Sequence, residues 1–254
     1  MKSKTFVLFG RIMKHILRSP DTIITVAIMP IAFMLMFVYV FGGAIKTSMA
    51  PNVNYVNYLL PGILIMTVAS GISYTAFRMW QDSVEGIFQR FNSMPIPRSA
   101  ALWGHVLSSL ISNLMTVAII FIIALIMGFR SSAGILDWLA VIGILVLFTM
   151  ALTWLAVIPG ITAKTMEGAS AFSYPLIFLP FISSAFVPTE TMPLGVRWFA
   201  ENQPVTSIVN TIRNLLASKP VDNDCWIALV WCVGIMIIAY FFAMKAYKKK
   251  ALRS

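Results

Sequence analysis

Six apolar runs, at 23–43, 58–78, 103–127, 137–158, 169–187 and 226–244, dominate the chain. Each is close to the ~20 residues a helix needs to cross a hydrocarbon core. Their interiors hold almost no formal charge. Membrane insertion demands this pattern, because Lys, Arg or Asp at the centre of an inserted helix costs about 2.5–3.5 kcal/mol. Hydrophobic residues fill 59% of the 254 positions and charged residues 11%, so no water-soluble core of this length can hide the apolar surface. Lipid must be the solvent. The expected fold is all-α: one polytopic transmembrane domain over 1–254, with six transmembrane helices.

The formal charge of +10 follows membrane topology and gives no cause to invoke nucleic acid. Lys2, Lys4, Arg11, Lys14 and Arg18 precede the first run, and Lys245, Lys248, Lys249, Lys250 and Arg253 follow the last. Excess Lys and Arg beside span ends marks the cytoplasmic side, so both termini are expected there, which requires an even number of spans. Arg78, Arg90, Arg98 and Lys164 then fall inside, and Lys46, Arg130, Arg197, Arg213 and Lys219 outside. Fourteen of the 19 basic residues thus lie on the inner side and five on the outer. The basic leader and the first apolar run are both too long for a cleavable signal peptide. Cys225 and Cys232, seven apart on one face of one straight helix, cannot pair and read as small apolar residues.

Three segments lie outside the spans. In residues 1–20, Arg11, Lys14, His15 and Arg18 share one helical face, with Phe6, Phe9, Ile12, Met13, Ile16 and Leu17 on the other. That predicts an interfacial helix on the inner leaflet. At 82–95, Asp82 and Glu85 suggest a capping box, Val84, Ile87, Phe88 and Phe91 recur at helical spacing, and Pro95 and Pro97 follow. A short cytoplasmic helix with an apolar stripe either rests on lipid or receives a partner. At 188–225, Val205, Ile208, Val209, Ile212, Leu215 and Leu216 form a stripe too short to span, which predicts a re-entrant or interfacial helix on the outer side. Pro30, Pro61, Pro175 and Pro180 interrupt spans, as packing kinks or as breaks that neighbouring groups re-satisfy.

Catalytic signatures are missing. The chain has no G-x-x-x-x-G-K-[ST] phosphate loop, no G-x-S-x-G elbow and no H-E-x-x-H or paired-Cys metal site. His15 and His105 stand alone. The one polar stripe within a span is His105, Ser108, Ser109, Ser112, Asn113 and Thr116; such small and hydroxyl residues either pack helices closely or line a pathway, and Ser109, Ser112, Asn113 and Thr116 are the pathway candidates. A secondary transporter driven by ions ordinarily carries ionisable groups within its spans, and a membrane-embedded enzyme needs a nucleophile, metal cluster or acid–base pair. Both are disfavoured. A pathway without fixed charge favours a drug or lipid-like cargo, with a polysaccharide or lipid-linked glycan as the alternative. Phe172, Tyr174, Phe178 and Phe181 of the fifth run read equally as core or as lining.

Several short sequences, in order along the chain, carry a resemblance: Arg18-Ser19-Pro20, Leu60-Pro61-Gly62, Glu85-Gly86 through Arg90 to Pro95-Ile96-Pro97-Arg98, Phe186-Val187-Pro188, Met192-Pro193 and Asn202-Gln203-Pro204-Val205-Thr206. Together they resemble the permease subunit of type-2 ATP-binding cassette exporters, in the branch typified by daunorubicin exporters. The resemblance implies that 82–95 is a coupling helix, with Glu85, Gly86, Phe88, Arg90, Phe91 and Pro95 contacting a separate ATPase subunit. Ile87 departs from the Thr or Ser often found after the glycine. It further implies a prokaryotic plasma membrane, a homodimer of permeases, two cassette subunits that bind ATP and Mg, and no cofactor and no catalysis on this chain.

Overall fold

The computed structural model describes residues 20–43, 54–87, 98–221 and 223–251. The described residues are 85% helical and include no strand. The interfacial helix expected over 1–20 and the greater part of the 82–95 helix lie outside the described residues.

Among the described residues, four helices are long and apolar enough to cross a membrane: α2 (Tyr55–Val84), α3 (Arg98–Ile126), α4 (Ile135–Thr162) and α9 (Asp224–Ala251). The first apolar run forms α1 (Pro20–Leu35), extended by one wide turn over Met36–Val40 in which the Phe41 N–H reaches back five residues to the Met36 carbonyl at 3.1 Å. The chain is thus a multi-pass helical membrane protein. Its centre is α2: 83% of its apolar stretch is buried within the molecule, against 28% for α3 and 22% for α9, whose remaining faces are left for lipid.

The fifth run, expected as one span over 169–187, is broken. It forms α5 (Met166–Ala171), α6 (Ser173–Phe178) and a 3-10 turn Leu179–Ile182, followed by non-helical backbone. Pro175 and Pro180 bring no N–H and their rings crowd the preceding turn, so a continuous ladder cannot form. Carbonyls within and beside the break accept from side-chain donors. Ser173 Oγ donates to Ser170 O at 2.7 Å, Ser183 Oγ donates to Pro180 O at 2.6 Å, and Gln203 Nε2 donates to Leu179 O at 3.3 Å and to Ile182 O. Irregular backbone inside a membrane protein is tolerated only with such partners.

The start of the expected 82–95 helix is also corrected. Residues 82–84 are the last turn of α2, which caps on Glu85, and Gly86 stops it with φ 72°, a left-handed conformation that glycine adopts without steric cost. Asp82 therefore caps nothing. Its Oδ2 lies 2.9 Å from His105 Nε2, while the Glu85 carboxylate accepts from Gln81 Nε2 at 2.9 Å.

The stripe in 188–225 is helical as expected. After a 3-10 turn at Thr189–Thr191 come α7 (Leu194–Asn202) and α8 (Pro204–Leu216), and α8 turns Val205, Ile208, Val209, Ile212, Leu215 and Leu216 into the core against α2, α4 and α9.

Polar ties collect the helix ends into two groups. At one end, Asn57 Nδ2 donates to Arg130 O at 2.6 Å, and Ser131 Oγ donates to Leu216 O at 2.7 Å. At the other, beside Asp82 and His105, Lys250 Nζ donates to Ser83 Oγ and, at 2.9 Å, to Ile161 O. Between them Trp154 sits edge-on to Trp103 (5.2 Å) and Tyr240 (4.8 Å), which locks α4 to α3 and α9.

Candidate functional site

The break in the fifth run shapes the main cavity. Because α6 ends in a 3-10 turn and α1 in a wide turn, neither closes along the full length of α2. A groove of about 540 Å³ remains between α1, α2, α5 and α6, within the roughly 300–1,000 Å³ usual for small-molecule sites. Met29, Phe33, Met66, Phe77, Tyr174 and Phe178 supply its walls. Thr25, Ser70, Ser73 and Ser170 place hydroxyls along it, and among the described residues no acidic or basic side chain lines it. Tyr174 and Phe178 are 58% and 61% exposed, so the groove opens at the surface of the single chain. Flexible Met and flat aromatic walls accept apolar bodies of varied shape.

The polar stripe of α3 lies elsewhere. Ser109, Ser112, Asn113 and Thr116 face α2 across a small pocket of about 20 Å³ that also includes Val26, Gly71, Tyr74, Thr75 and Arg78. Ser109 Oγ and Thr75 Oγ1 share a 2.8 Å hydrogen bond, and Asn113 Nδ2 and Thr116 Oγ1 donate to carbonyls one turn back at 2.9 and 3.1 Å. The stripe therefore packs helices and also walls a pocket. Val26 and Tyr74 line both the pocket and the groove. Gly71 permits this approach: a Cβ there would fall 1.9 Å from Asn113 Oδ1. Arg78, expected at a loop edge, sits instead within α2, its guanidinium 4.4 Å from the Tyr74 ring centre.

At the end of the molecule bearing α8, Arg213 forms a clasp. Its Nη2 donates to Ser184 O at 2.7 Å and, with Nε, to Tyr58 O at 3.3 Å; its Nη1 donates to Asn210 Oδ1 at 2.9 Å, and its Cζ stands 3.8 Å from the Tyr58 ring centre. Asn210 continues to Asp224 at the start of α9 (3.1 Å). α8 is thereby tied to α2, α9 and the irregular stretch after α6. On α7, the Arg197 guanidinium hydrogen-bonded at 2.7 Å to Glu201 lowers that carboxyl's pKa below its ordinary value, and the Arg197 pKa rises correspondingly.

Of the residues assigned to coupling, Glu85 and Gly86 lie at the end of α2, and Phe88, Arg90, Phe91 and Pro95 lie outside the described residues. The groove escapes sequence reasoning, since its walls come from three segments and only Tyr174, Phe178 and Phe181 among them stand out in the sequence as possible lining. The irregularity that opens it is readable at Pro175 and Pro180.

The fold, a bundle of membrane-length helices with an apolar groove beside a polar pocket, and the relatives of this chain make it a membrane transport component. It belongs to the ABC-2 type transporter family, whose model matches residues 3–217, and is the permease subunit of a type-2 exporter. It is similar to the daunorubicin resistance ABC transporter permease protein DrrB1 of Streptomyces coeruleorubidus, at 29% identity over 98% of this chain and 87% of the relative. It is also similar to the probable doxorubicin resistance ABC transporter permease protein DrrC of Mycobacterium tuberculosis, at 23% identity over 93% and 85%, and to the putative transport permease ycf38 of Pyropia yezoensis, at 24% over 91% and 81%. Membership of the family implies partnership with an ATP-binding cassette subunit.

Proposed function

We propose that this chain is the non-catalytic membrane half of an ATP-driven exporter for hydrophobic or amphiphilic compounds. It crosses a bacterial plasma membrane six times with both termini inside. Two copies face each other across their grooves and enclose a pathway. Two cassette subunits, which bind ATP and Mg, grip the 85–95 connection and drive it. The observation that carries this reading is the 540 Å³ groove: it is large and mainly apolar, and among the described residues its lining holds no carboxylate or base, so it suits an apolar body better than it suits a coupling ion. Six crossings are supported by the four long apolar helices together with two shorter apolar stretches, Ile24–Val40 and Met166–Ile182. The basic residues gathered at 245–253 support an inner position for the end of α9.

The test is export of daunorubicin from cells that express this chain with its ATPase. Ser73→Trp puts an indole into the groove, and its expected effect is a drop in export of about tenfold or more with membrane abundance unchanged. Undiminished export by that variant would place the pathway elsewhere.

A further inference from the structure

The small pocket between α2 and α3 contains a cation whose reactive edge is unused. Arg78 Nε and Nη2 are both shielded from solvent and have no hydrogen-bond partner among the described residues. These two nitrogens form one side of the planar guanidinium fork, the side that matches a carboxylate or phosphate with two parallel hydrogen bonds. Stacking on Tyr74 at 4.4 Å holds the plane of that fork in place. Among the described residues no acidic side chain lines the pocket. The nearest carboxylates along α2 are engaged, Asp82 with His105 and Glu85 with Gln81.

A shielded guanidinium edge without hydrogen-bond partners is costly, so the site calls for an anion. A second orphan group narrows the choice. Asn113 is 3% exposed and its Oδ1 accepts from no donor among the described residues, while its Nδ2 is committed to Ser109 O. A head group with both an oxyanion and an O–H would satisfy the fork and this acceptor together. The enclosed space of about 20 Å³ admits about one oxygen atom at its floor, so the bulk of such a molecule must lie outside. The groove is adjacent, sharing Val26 and Tyr74 with the pocket.

We propose that Arg78 and Asn113 form a head-group site for an anionic amphiphile, a phosphate or carboxylate whose hydrocarbon body lies along the neighbouring groove. This rests on the groove being the binding path, and it adds a charge preference that an apolar groove alone does not have. The ligand is either a transported acidic amphiphile or a membrane phospholipid, since both present the same head.

The experiment measures binding of dodecyl phosphate, dodecyltrimethylammonium and inorganic phosphate to the full chain in dodecyl maltoside, by thermal shift and calorimetry. Wild type should bind dodecyl phosphate about tenfold or more tighter than the trimethylammonium analogue, and inorganic phosphate far more weakly than either. Arg78→Gln should abolish the preference, while Arg78→Lys, which keeps the charge without the fork, should retain part of it and serves if the Gln variant does not fold. Ser73→Trp should weaken both surfactants alike. Equal binding of the two surfactants by wild type, or an unchanged preference in both Arg78 variants, overturns the head-group site while leaving the groove intact. No binding of either, with Ser73→Trp silent, overturns the groove and the head-group site with it. Native mass spectrometry from phosphatidylglycerol and phosphatidylcholine nanodiscs separates the sources. Retention of one phosphatidylglycerol that Arg78→Gln loses marks a lipid ligand, and displacement of dodecyl phosphate by no lipid marks a transported one.

Discussion

Replacing Arg213 by Met tests whether the clasp on α8 holds the irregular stretch after α6 in place. The substitution removes two close charged hydrogen bonds, to Ser184 O at 2.7 Å and Asn210 Oδ1 at 2.9 Å. At roughly 1.5–3 kcal/mol each they set a loss of about 3–6 kcal/mol. The orphaning cost is modest, because Ser184 O still accepts from Tyr58 OH at 2.9 Å and Asn210 Oδ1 from Ser184 Oγ at 2.7 Å. Met is of similar length and packs on the Tyr58 ring, which offsets about 1 kcal/mol. The net expectation is about 2–5 kcal/mol, or roughly 4–20 °C in Tm at about 2–4 °C per kcal/mol. Thermal unfolding of the purified chain, read by tryptophan fluorescence, measures it, and amide exchange over 179–186 should rise in parallel. Arg213→Lys keeps the charge and loses the fork, so it should fall between. A Met variant within about 1 °C of wild type, with exchange unchanged, would refute the clasp.

Gly62→Ala brings a Cβ to 2.6 Å of Ala185 Cβ, and Gly160→Ala brings one to 2.7 Å of Met79 Cβ and 3.0 Å of Ala76 O. Each should cost about 1–3 kcal/mol by overpacking, whereas Gly143→Ala meets nothing within 4 Å and should be neutral or gain up to about 1 kcal/mol; equal stabilities for the three would contradict the packing described. Glu201 has a lowered pKa through its Arg197 hydrogen bond, so this tie is present above the ordinary carboxylate range and is lost as pH falls through the lowered value. Carbon-13 NMR should show Glu201 titrating below a free glutamate, and Arg197→Gln should bring it back.

Much of the architecture is legible in the residues, and the failures share a cause. Length and missing charge locate the helices, and the 3.6-residue stripe of Val205 to Leu216 identifies the buried face of α8 by its periodicity alone. Pro175 and Pro180 announce trouble in the fifth run. Whether proline kinks a helix or ends it depends on partners such as Gln203, twenty-one residues beyond Ile182, and periodicity does not report partners at that distance. The helix start expected at 82 fails for a similar reason. Asp82 and Glu85 have capping-box spacing, but Asp82 is drawn to His105 on another helix, while Gly86 is the local stop signal. The polar stripe on α3 is visible from its spacing. That Arg78 shares its pocket is not, because that depends on how α2 and α3 are rotated against each other.

The central claim is that energy comes from outside this chain. The direct measurement is uptake of a fluorescent amphiphile into inside-out proteoliposomes holding this chain with or without a cognate ATP-binding cassette ATPase. Uptake should require both the ATPase and ATP, persist with ionophores present, and be lost in Arg90→Glu while that ATPase stays active. Uptake by this chain alone on an imposed ion gradient would contradict the account.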